Sequence, residues 1–164
     1  MNKNAKILVV VPKYDLTEKK FYHYLFPTGY AYIIAALKKL GGYKNVECLN
    51  LNHEEGKIQD IVLERLLKGN YDYMLFGGIV LDFNSMVLTL KAIDKLKENN
   101  IQKPIIILGG MFVTTMTSEA MQEFSQVDYG VLGEAEETIV DLIDTLEKGG
   151  DVSKVTGIVY REKR

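Results

Sequence analysis

The chain has 164 residues, 47% of them hydrophobic, and a formal net charge of −2. These values exclude a disordered chain and predict one domain with a substantial core. Charges of both signs are interspersed, and the first apolar run, Ile7 to Pro12, is too short for a signal peptide core or a membrane span. We therefore expect a cytoplasmic protein with no nucleic-acid or membrane partner.

Short apolar runs alternate with segments of helical spacing along the chain. The predicted strands are Lys6–Pro12, Val46–Leu51, Asp72–Phe76, a fourth that follows Pro104, Tyr129–Leu132 and a short final one at Gly157–Arg161. The predicted helices cover about 29–40, 57–68, 84–99, 118–124 and 138–148. Thr28 is a candidate N-cap for the first of these helices.

This alternation predicts a three-layer α/β fold with a doubly wound parallel sheet, of the flavodoxin-like or Rossmann-like kind. The expected strand order is 2-1-3-4-5, with a possible short extra edge strand, in a single domain covering residues 1–164. The one cysteine, Cys48, lies in the second strand, where we expect a buried structural thiol. A single thiolate cannot hold an iron–sulfur cluster.

Two glycines end the fourth predicted strand, in the segment Pro104 to Thr115. Gly109 and Gly110 follow four apolar residues whose pattern is typical of a strand buried on both faces. Ligands of open α/β sheets bind at the carboxyl ends of such strands, and a backbone without Cβ atoms allows close approach. A tight turn that requires positive φ explains the glycine pair equally well. The loop at 13–27, rich in aromatic residues, is long enough to be functional.

The strand ends exclude several common ligands. Neither a dinucleotide fingerprint nor a P-loop is present, and the loop that starts at Pro12 lacks the serine, threonine and glycine residues of an FMN phosphate site. After the fifth strand, Glu134, Glu136 and Glu137 suit a helix N-terminus and repel phosphate. Dipole compensation is the favoured role of Glu137, whereas ligand contact is equally open for Glu134 and Glu136. These features predict a large ligand rich in amide or hydroxyl groups.

Five segments in order resemble the cobalamin-binding domain of B12-dependent radical SAM enzymes. They are Pro27-Thr28-Gly29-Tyr30-Ala31-Tyr32, Gly77-Gly78-Ile79 with Phe83-Asn84, Leu108-Gly109-Gly110, Gly133-Glu134-Ala135-Glu136-Glu137-Thr138 and Gly157-Ile158-Val159-Tyr160-Arg161. The family usually shows P-x-G-L-A-Y-L, G-G-P-H-x-T and G-E-G-E-E-T at the first, third and fourth of these places. Together the segments cover nearly the whole chain.

The resemblance implies that cobalamin lies with its corrin over the strand ends and its dimethylbenzimidazole tail beside the sheet. No catalytic or metal-ligating residue is implied in this chain. The residues implied to contact the cofactor are Tyr14, Gly29, Gly77, Gly78, Asn84, Gly109, Gly110, Phe112, Gly133, Glu134 and Glu136.

Three departures from known patterns qualify this implication. The D-x-H-x-x-G motif that supplies a histidine to cobalt in another cobalamin-binding class is absent, and loop or surface roles are expected for His23 and His53. Cobalamin is therefore expected without a histidine lower ligand. Phe112 stands where the family has a histidine. The C-x-x-x-C-x-x-C motif is also absent, so the 4Fe-4S cluster and S-adenosylmethionine would belong to a C-terminal radical SAM domain in cis.

On this interpretation, the chain is an N-terminal fragment of a longer methyltransferase or cyclase, and is not catalytic alone. One alternative is a degenerate Rossmann-like docking module that has lost the cofactor, with which Phe112 and the aromatic loop are compatible. A second alternative is an enzyme that uses a small ligand. It ranks last because no Ser–His–Asp or Cys–His set is suggested.

Overall fold

The computed structural model describes residues 3–14 and 27–161. The strands of its sheet are β1 (Lys6–Val11), β2 (Asn45–Asn50), β3 (Tyr73–Gly77), β4 (Ile105–Gly109), β5 (Tyr129–Val131) and β6 (Ile158–Tyr160). The described helices are α1 (Thr28–Lys39), α2 (Ile58–Gly69), α3 (Phe83–Glu98), α4 (Met111–Thr115), α5 (Thr117–Glu123) and α6 (Glu136–Glu147). Short 3₁₀ turns cover Leu51–His53, Val80–Asp82 and Val152–Lys154.

The six-stranded sheet has the order β2-β1-β3-β4-β5-β6. All pairings from β2 to β5 are parallel, and β6 pairs antiparallel with β5, with Gly130 opposite Val159. This order confirms the predicted doubly wound α/β fold, and β6 is the extra edge strand. The carboxyl ends of β1, β3, β4 and β5 consequently lie side by side at one edge of the sheet.

Successive side chains of each central strand enter different cores, because a strand directs alternate residues to opposite faces. On one face Leu8, Met74 and Ile106 pack with residues of α2, α3, α4 and α5. On the other, Val9, Leu75 and Ile107 belong to the core that contains Leu37 of α1 and Leu142 of α6. We call these the α3 face and the α6 face. Burial on both sides explains the continuous apolar runs of the sequence.

Some local predictions were wrong. Thr28 is the first residue of α1 rather than its N-cap, a position that Pro27 occupies without a side-chain hydrogen bond. Helix α4 was not predicted. It starts directly after Gly110, whose φ of 87° turns the chain, and the Thr114 hydroxyl returns a 2.9 Å hydrogen bond to the Gly110 carbonyl. The Cys48 side chain is half-buried, and burial raises the pKa of its thiol.

Within 3–14 and 27–161, no helix combines the length and the apolar character needed to cross a bilayer. The described chain is instead held together by the two cores and by polar contacts at the amino ends of the strands. Tyr43, which is 1% exposed, donates a 2.6 Å hydrogen bond to Asp144, which also pairs with Lys3. Tyr73 likewise donates to Glu147 over 2.7 Å. These contacts join α6 to the sheet and fix its position.

Candidate functional site

A cavity of about 470 Å³ opens at the carboxyl ends of the strands, on the α6 face of the sheet. Val9, Leu75, Ile107 and Val131 form its wall along the sheet, and residues of α1 and α6 form the opposite wall. Its volume and its mostly apolar lining are typical of small-molecule sites. The described residues that line it are Val9, Tyr14, Pro27, Gly29, Tyr30, Ile33, Leu75, Phe76, Gly77, Gly78, Ile79, Asp82, Ile107, Gly109, Gly110, Met111, Thr114, Val131, Gly133, Glu134, Ala135, Glu136 and Ile139.

Three glycines leave space in this cavity that a side chain would fill. A Cβ built at Gly29, Gly109 or Gly133 has no atom of the described residues within 4 Å. Gly133 also has a φ of 68°, which favours glycine where the chain turns from β5 toward α6. Because all three residues line the cavity, side chains there would occupy the volume available to a ligand.

A second group of glycines serves packing between loops. Gly77 lies opposite Gly109 in the β3–β4 register, and a Cβ at Gly77 would be 2.1 Å from the Gly109 carbonyl oxygen. A Cβ at Gly110 would be 2.8 Å from the carbonyl oxygen of Gly78. The backbone amide of Phe112 donates a 3.0 Å hydrogen bond to that same oxygen. These glycines therefore bring the loops after β3 and β4 into direct contact.

Hydrogen bonds continue this contact across the mouth of the cavity. The Tyr30 hydroxyl of α1 donates to the Gly77 carbonyl over 2.7 Å. The Thr114 hydroxyl, which donates to Gly110, accepts a 3.0 Å hydrogen bond from the Gly133 amide. We call the bonds from Tyr30 through Gly77, Gly78, Phe112, Gly110 and Thr114 to Gly133 the strand-end chain. It connects α1 to the turn before α6.

The tyrosines at the cavity are neutral hydroxyl groups. Burial raises the pKa of Tyr30 well above its usual value, and burial together with nearby Asp82 raises that of Tyr14. The backbone amide of Tyr14 donates a 2.9 Å hydrogen bond to Asn52, whose side-chain amide donates to the Pro12 carbonyl over 2.9 Å. Asn52 thus fixes the chain after β1 so that Tyr14 lies at the cavity.

The charged groups among the described lining residues are all acidic. Asp82 is 6% exposed and its Oδ2 accepts a 3.0 Å hydrogen bond from the Ile79 amide, whereas Glu134 is exposed and Glu136 is half-buried. Burial raises the pKa of Asp82. No lysine, arginine or histidine is among the described lining residues. The site consequently favours a neutral ligand that carries hydrogen-bond donors over a phosphate.

The structure brings nine of the predicted contact residues together at this cavity. They are Tyr14, Gly29, Gly77, Gly78, Gly109, Gly110, Gly133, Glu134 and Glu136. Asn84 and Phe112 are elsewhere. Asn84 is an exposed residue at the start of α3. Phe112 is 4% exposed and packs in the core of the α3 face, with ring centroids 5.8 Å from Phe83 and 5.7 Å from Phe124. Ligand contact by each residue remains a prediction.

Three polar residues of the cavity, Tyr30, Asp82 and Thr114, were missed. Thr114 belongs to α4, the helix that was not predicted. Tyr30 follows Gly29 and lies one helical turn before Ile33, a spacing that predicts a shared face toward the sheet. Asp82 follows the third strand after the apolar residues 79–81, where a lone carboxylate is a usable signal.

Of the aromatic loop, only Lys13, Tyr14 and Pro27 are within the described residues, and His23 lies outside them. His53 is exposed after β2.

Within the described residues, no group of three or more histidine, cysteine or acidic side chains is arranged to hold a metal ion. The fold and the cavity together define a Rossmann-like ligand-binding domain. Its candidate ligand site, the cavity, lies at the carboxyl ends of parallel strands and continues along one face of the sheet.

The family model for the B12 binding domain matches residues 17–143 of the chain. The protein belongs to this family, as the five sequence segments predicted. Cobalamin, the cofactor expected from those segments, is the one that the family description gives.

Two curated relatives extend the comparison. Over 161 residues, 98% of the chain, the sequence is 26% identical to the uncharacterized methyltransferase PH0819 of Pyrococcus horikoshii. Over 57 residues, 35% of the chain, it is 40% identical to the anaerobic magnesium-protoporphyrin IX monomethyl ester cyclase of a Synechocystis species. The matched regions are 33% and 11% of these proteins, so the chain spans at most about a third of either relative.

Solved structures agree with the fold. The chain superposes with a TM-score of 0.80 and 18% identity on the cobalamin-dependent S-adenosylmethionine radical enzyme OxsB with aqua-cobalamin bound, and with 0.76 and 17% on the radical S-adenosylmethionine methyltransferase TsrM from Kitasatospora setae. Both superpositions cover 98% of this chain, but only 21% and 29% of the respective neighbours.

Proposed function

We propose that this chain binds cobalamin at the strand-end cavity and positions it within a B12-dependent radical SAM enzyme of the methyltransferase or cyclase type. The observation that carries the proposal is the cavity itself, which has an open glycine floor, apolar walls and an acidic mouth. The names of the relatives, a methyltransferase and a cyclase, support the enzyme class.

The described residues fit the cofactor. Gly29, Gly109 and Gly133 leave room for a ligand, since a Cβ at any of them would have no described residue within 4 Å. The apolar wall of Val9, Ile107 and other strand residues suits an aromatic group such as the dimethylbenzimidazole tail. The acidic mouth offers acceptors for the amide groups at the edge of the corrin.

Each part of the chain then has a defined task. The bound cofactor would supply the cobalt chemistry, and the residues of this chain would hold and orient it. The Tyr30 and Thr114 hydroxyls keep the mouth in shape through hydrogen bonds to Gly77 and Gly110. Glu134 and Glu136, at the start of α6, would accept hydrogen bonds from carboxamides.

We further propose that the cobalt has no histidine lower ligand from this chain. The sequence lacks D-x-H-x-x-G, and the described lining of the cavity contains no histidine. Electron paramagnetic resonance of the Co(II) form tests this point. A lower nitrogen ligand splits the signal by superhyperfine coupling, and we expect a spectrum without that splitting.

We also propose that the chain acts with a radical SAM domain in cis, as the N-terminal part of a longer protein. The chain spans 33% of its methyltransferase relative and 21–29% of the structural neighbours. The 4Fe-4S cluster and S-adenosylmethionine would bind in that other domain. Reading the gene beyond Arg164 tests the proposal, and a C-x-x-x-C-x-x-C motif is the expected result.

The docking-module alternative has lost one of its supports. Phe112 was compatible with a lost cofactor site, because the family has a histidine at this place. However, Phe112 packs with Phe83 and Phe124 on the α3 face and leaves the cavity on the α6 face open. Its identity is therefore explained by core packing.

Binding is tested by mixing the chain with hydroxocobalamin and separating free cofactor by gel filtration. We expect the corrin absorbance to co-elute with the protein. Gly109→Val, whose Cβ would have no atom of the described residues within 4 Å, should abolish co-elution and leave the fold intact. A folded wild-type chain that elutes colourless would contradict cobalamin binding and favour the docking module.

Gly133→Val has a closely matched control in the same chain. Gly133 and Gly149 have φ values of 68° and 62°, and neither would place a Cβ within 4 Å of another atom. Valine therefore strains the backbone similarly at both positions, but only Gly133 lines the cavity. Loss of binding with Gly133→Val and retention with Gly149→Val is the expected pattern.

A further inference from the structure

Asp82 stands out among the charged residues that the structure describes because it is buried and none of them forms an ion pair with it. The residue is 6% exposed, and within the described residues the only hydrogen bond of its side chain is the 3.0 Å contact from the Ile79 amide to Oδ2. A carboxylate removed from water loses solvation that one hydrogen bond does not replace. Natural proteins usually pair such a group, so its isolation at a ligand cavity needs an explanation.

The backbone around Asp82 is arranged to hold this carboxyl at the cavity. The residue ends the 3₁₀ turn Val80–Asp82, and its amide donates a 3.0 Å hydrogen bond to the Ile79 carbonyl. Gly78 has a φ of 154° and allows the Asp82 carboxyl to pack against its backbone, since a Cβ at Gly78 would be 2.4 Å from Asp82 Oδ2. The loop after β3 thus orients the carboxyl in two ways.

The neighbouring groups do not satisfy the carboxyl. The Tyr30 hydroxyl, on α1, is committed to the Gly77 carbonyl. Tyr14, after β1, is close enough for Asp82 to raise the pKa of its hydroxyl, but it makes no hydrogen bond to the carboxyl. Glu134 and Glu136 line the same cavity from the α6 side and are themselves acceptors. Among the described residues, the Ile79 amide is the one donor that is hydrogen-bonded to the carboxyl.

We propose that Asp82 is a specificity-determining residue, whose carboxylate accepts a hydrogen bond from a hydroxyl or amide N–H group of the bound ligand. This inference rests on the proposed function, in which that ligand is cobalamin. Two parts of cobalamin carry such donors, namely the ribose of the nucleotide tail and the carboxamides of the corrin. The carboxylate disfavours a phosphate in the same position, because no described lining residue is a cation that would compensate the repulsion.

The test compares Asp82→Asn, Asp82→Ala and the wild-type chain in equilibrium dialysis with hydroxocobalamin. Both variants should weaken binding roughly tenfold to a hundredfold, since a hydrogen bond to a charged group is lost. Asparagine has nearly the shape of aspartate but turns a donor amide or a weaker acceptor toward the ligand. Asp141→Asn, which changes an exposed carboxylate on α6 away from the cavity, should bind like the wild type.

Binding by Asp82→Ala within twofold of the wild type would overturn the proposal. Wild-type affinity in Asp82→Asn would also overturn the proposal, because it would mean that the side chain at position 82 donates a hydrogen bond to the ligand or does not contact it. Failure of the wild-type chain to bind would instead refute the proposed function. A merely structural role predicts lower stability of the variants, whereas we expect thermal unfolding of the ligand-free variants at or above the wild-type temperature.

Cobinamide, which lacks the nucleotide tail, identifies the donor. If the ribose hydroxyl is the partner, the wild type and Asp82→Asn will bind cobinamide equally. If a corrin carboxamide is the partner, the difference measured with hydroxocobalamin will persist with cobinamide. Equal affinity of both proteins for both ligands would again overturn the proposal.

Discussion

The two faces of the sheet are built from the same strands, yet one is filled and the other is open at its end. On the α3 face, the rings of Phe83, Phe112 and Phe124 pack together in the core. On the α6 face, the corresponding region has glycines at the start of α1 and before α6, and a cavity remains. The position of aromatic and glycine residues thus decides which face can admit a ligand.

The largest expected effect is on the filled face. Phe112→Ala should lower the free energy of unfolding by about 3–5 kcal/mol, because it removes a buried ring from the core. The affinity for hydroxocobalamin should stay unchanged, since Phe112 does not line the cavity. Urea denaturation and equilibrium dialysis measure the two quantities. A large loss of affinity in folded protein would mean that Phe112 acts at the ligand site.

Two glycines in register sharpen the comparison. Gly77→Ala should destabilise the fold by about 1–3 kcal/mol, because its Cβ would overlap the backbone of Gly109 and force the strands apart. Gly109→Ala meets no protein atom, so its unfolding free energy should change by less than about 1 kcal/mol. Chemical denaturation of both variants tests this. Equal destabilisation by the two substitutions would contradict the conclusion that Gly77 is needed for packing between loops whereas Gly109 leaves space for a ligand.

The next effect concerns the wall of the open face. Tyr30→Phe removes the hydroxyl that donates to the Gly77 carbonyl and keeps the ring in place. We expect a loss of about 1 kcal/mol in unfolding free energy, the usual net value of one hydrogen bond. Tyr32→Phe, on the exposed side of the same helix, is the matched control and should be neutral. No difference between the two variants would show that the bond contributes nothing.

The smallest expected effect is a pH dependence due to Asp82. Because its pKa is raised in the folded state, folding takes up a proton between the unfolded and the folded pKa values. Its contribution to stability is therefore greatest at acid pH and declines as pH rises through the folded pKa. Ligand-free Asp82→Asn should lack this decline when unfolding is followed from about pH 4 to 7. If the pH dependence of stability is the same in Asp82→Asn and in the wild type, burial does not raise the pKa of Asp82 in the folded protein.

The fold was largely predictable because its signals are local. Apolar runs such as Ile7–Val11 indicate strands buried on both faces, and their alternation with helical segments indicates a doubly wound sheet. The absence of a dinucleotide fingerprint then favoured the strand order that the structure has. The family followed from glycines and glutamates at the strand ends. The roles of individual residues were harder to predict, since Phe112 and Gly109 are three positions apart but lie on opposite faces of the sheet. The face toward which a residue points after a turn depends on backbone dihedral angles, which cannot be read from a single sequence.

The strand-end chain has a consequence for how tightly and how fast a ligand can bind. Hydrogen bonds from Tyr30 to Gly133 already join four successive segments of the mouth before any ligand enters. Binding therefore does not require these loops to be ordered, and less conformational entropy is lost on association. A preorganised entrance of this kind is expected to give association rates that vary little among ligands, so that differences in affinity arise mainly from dissociation.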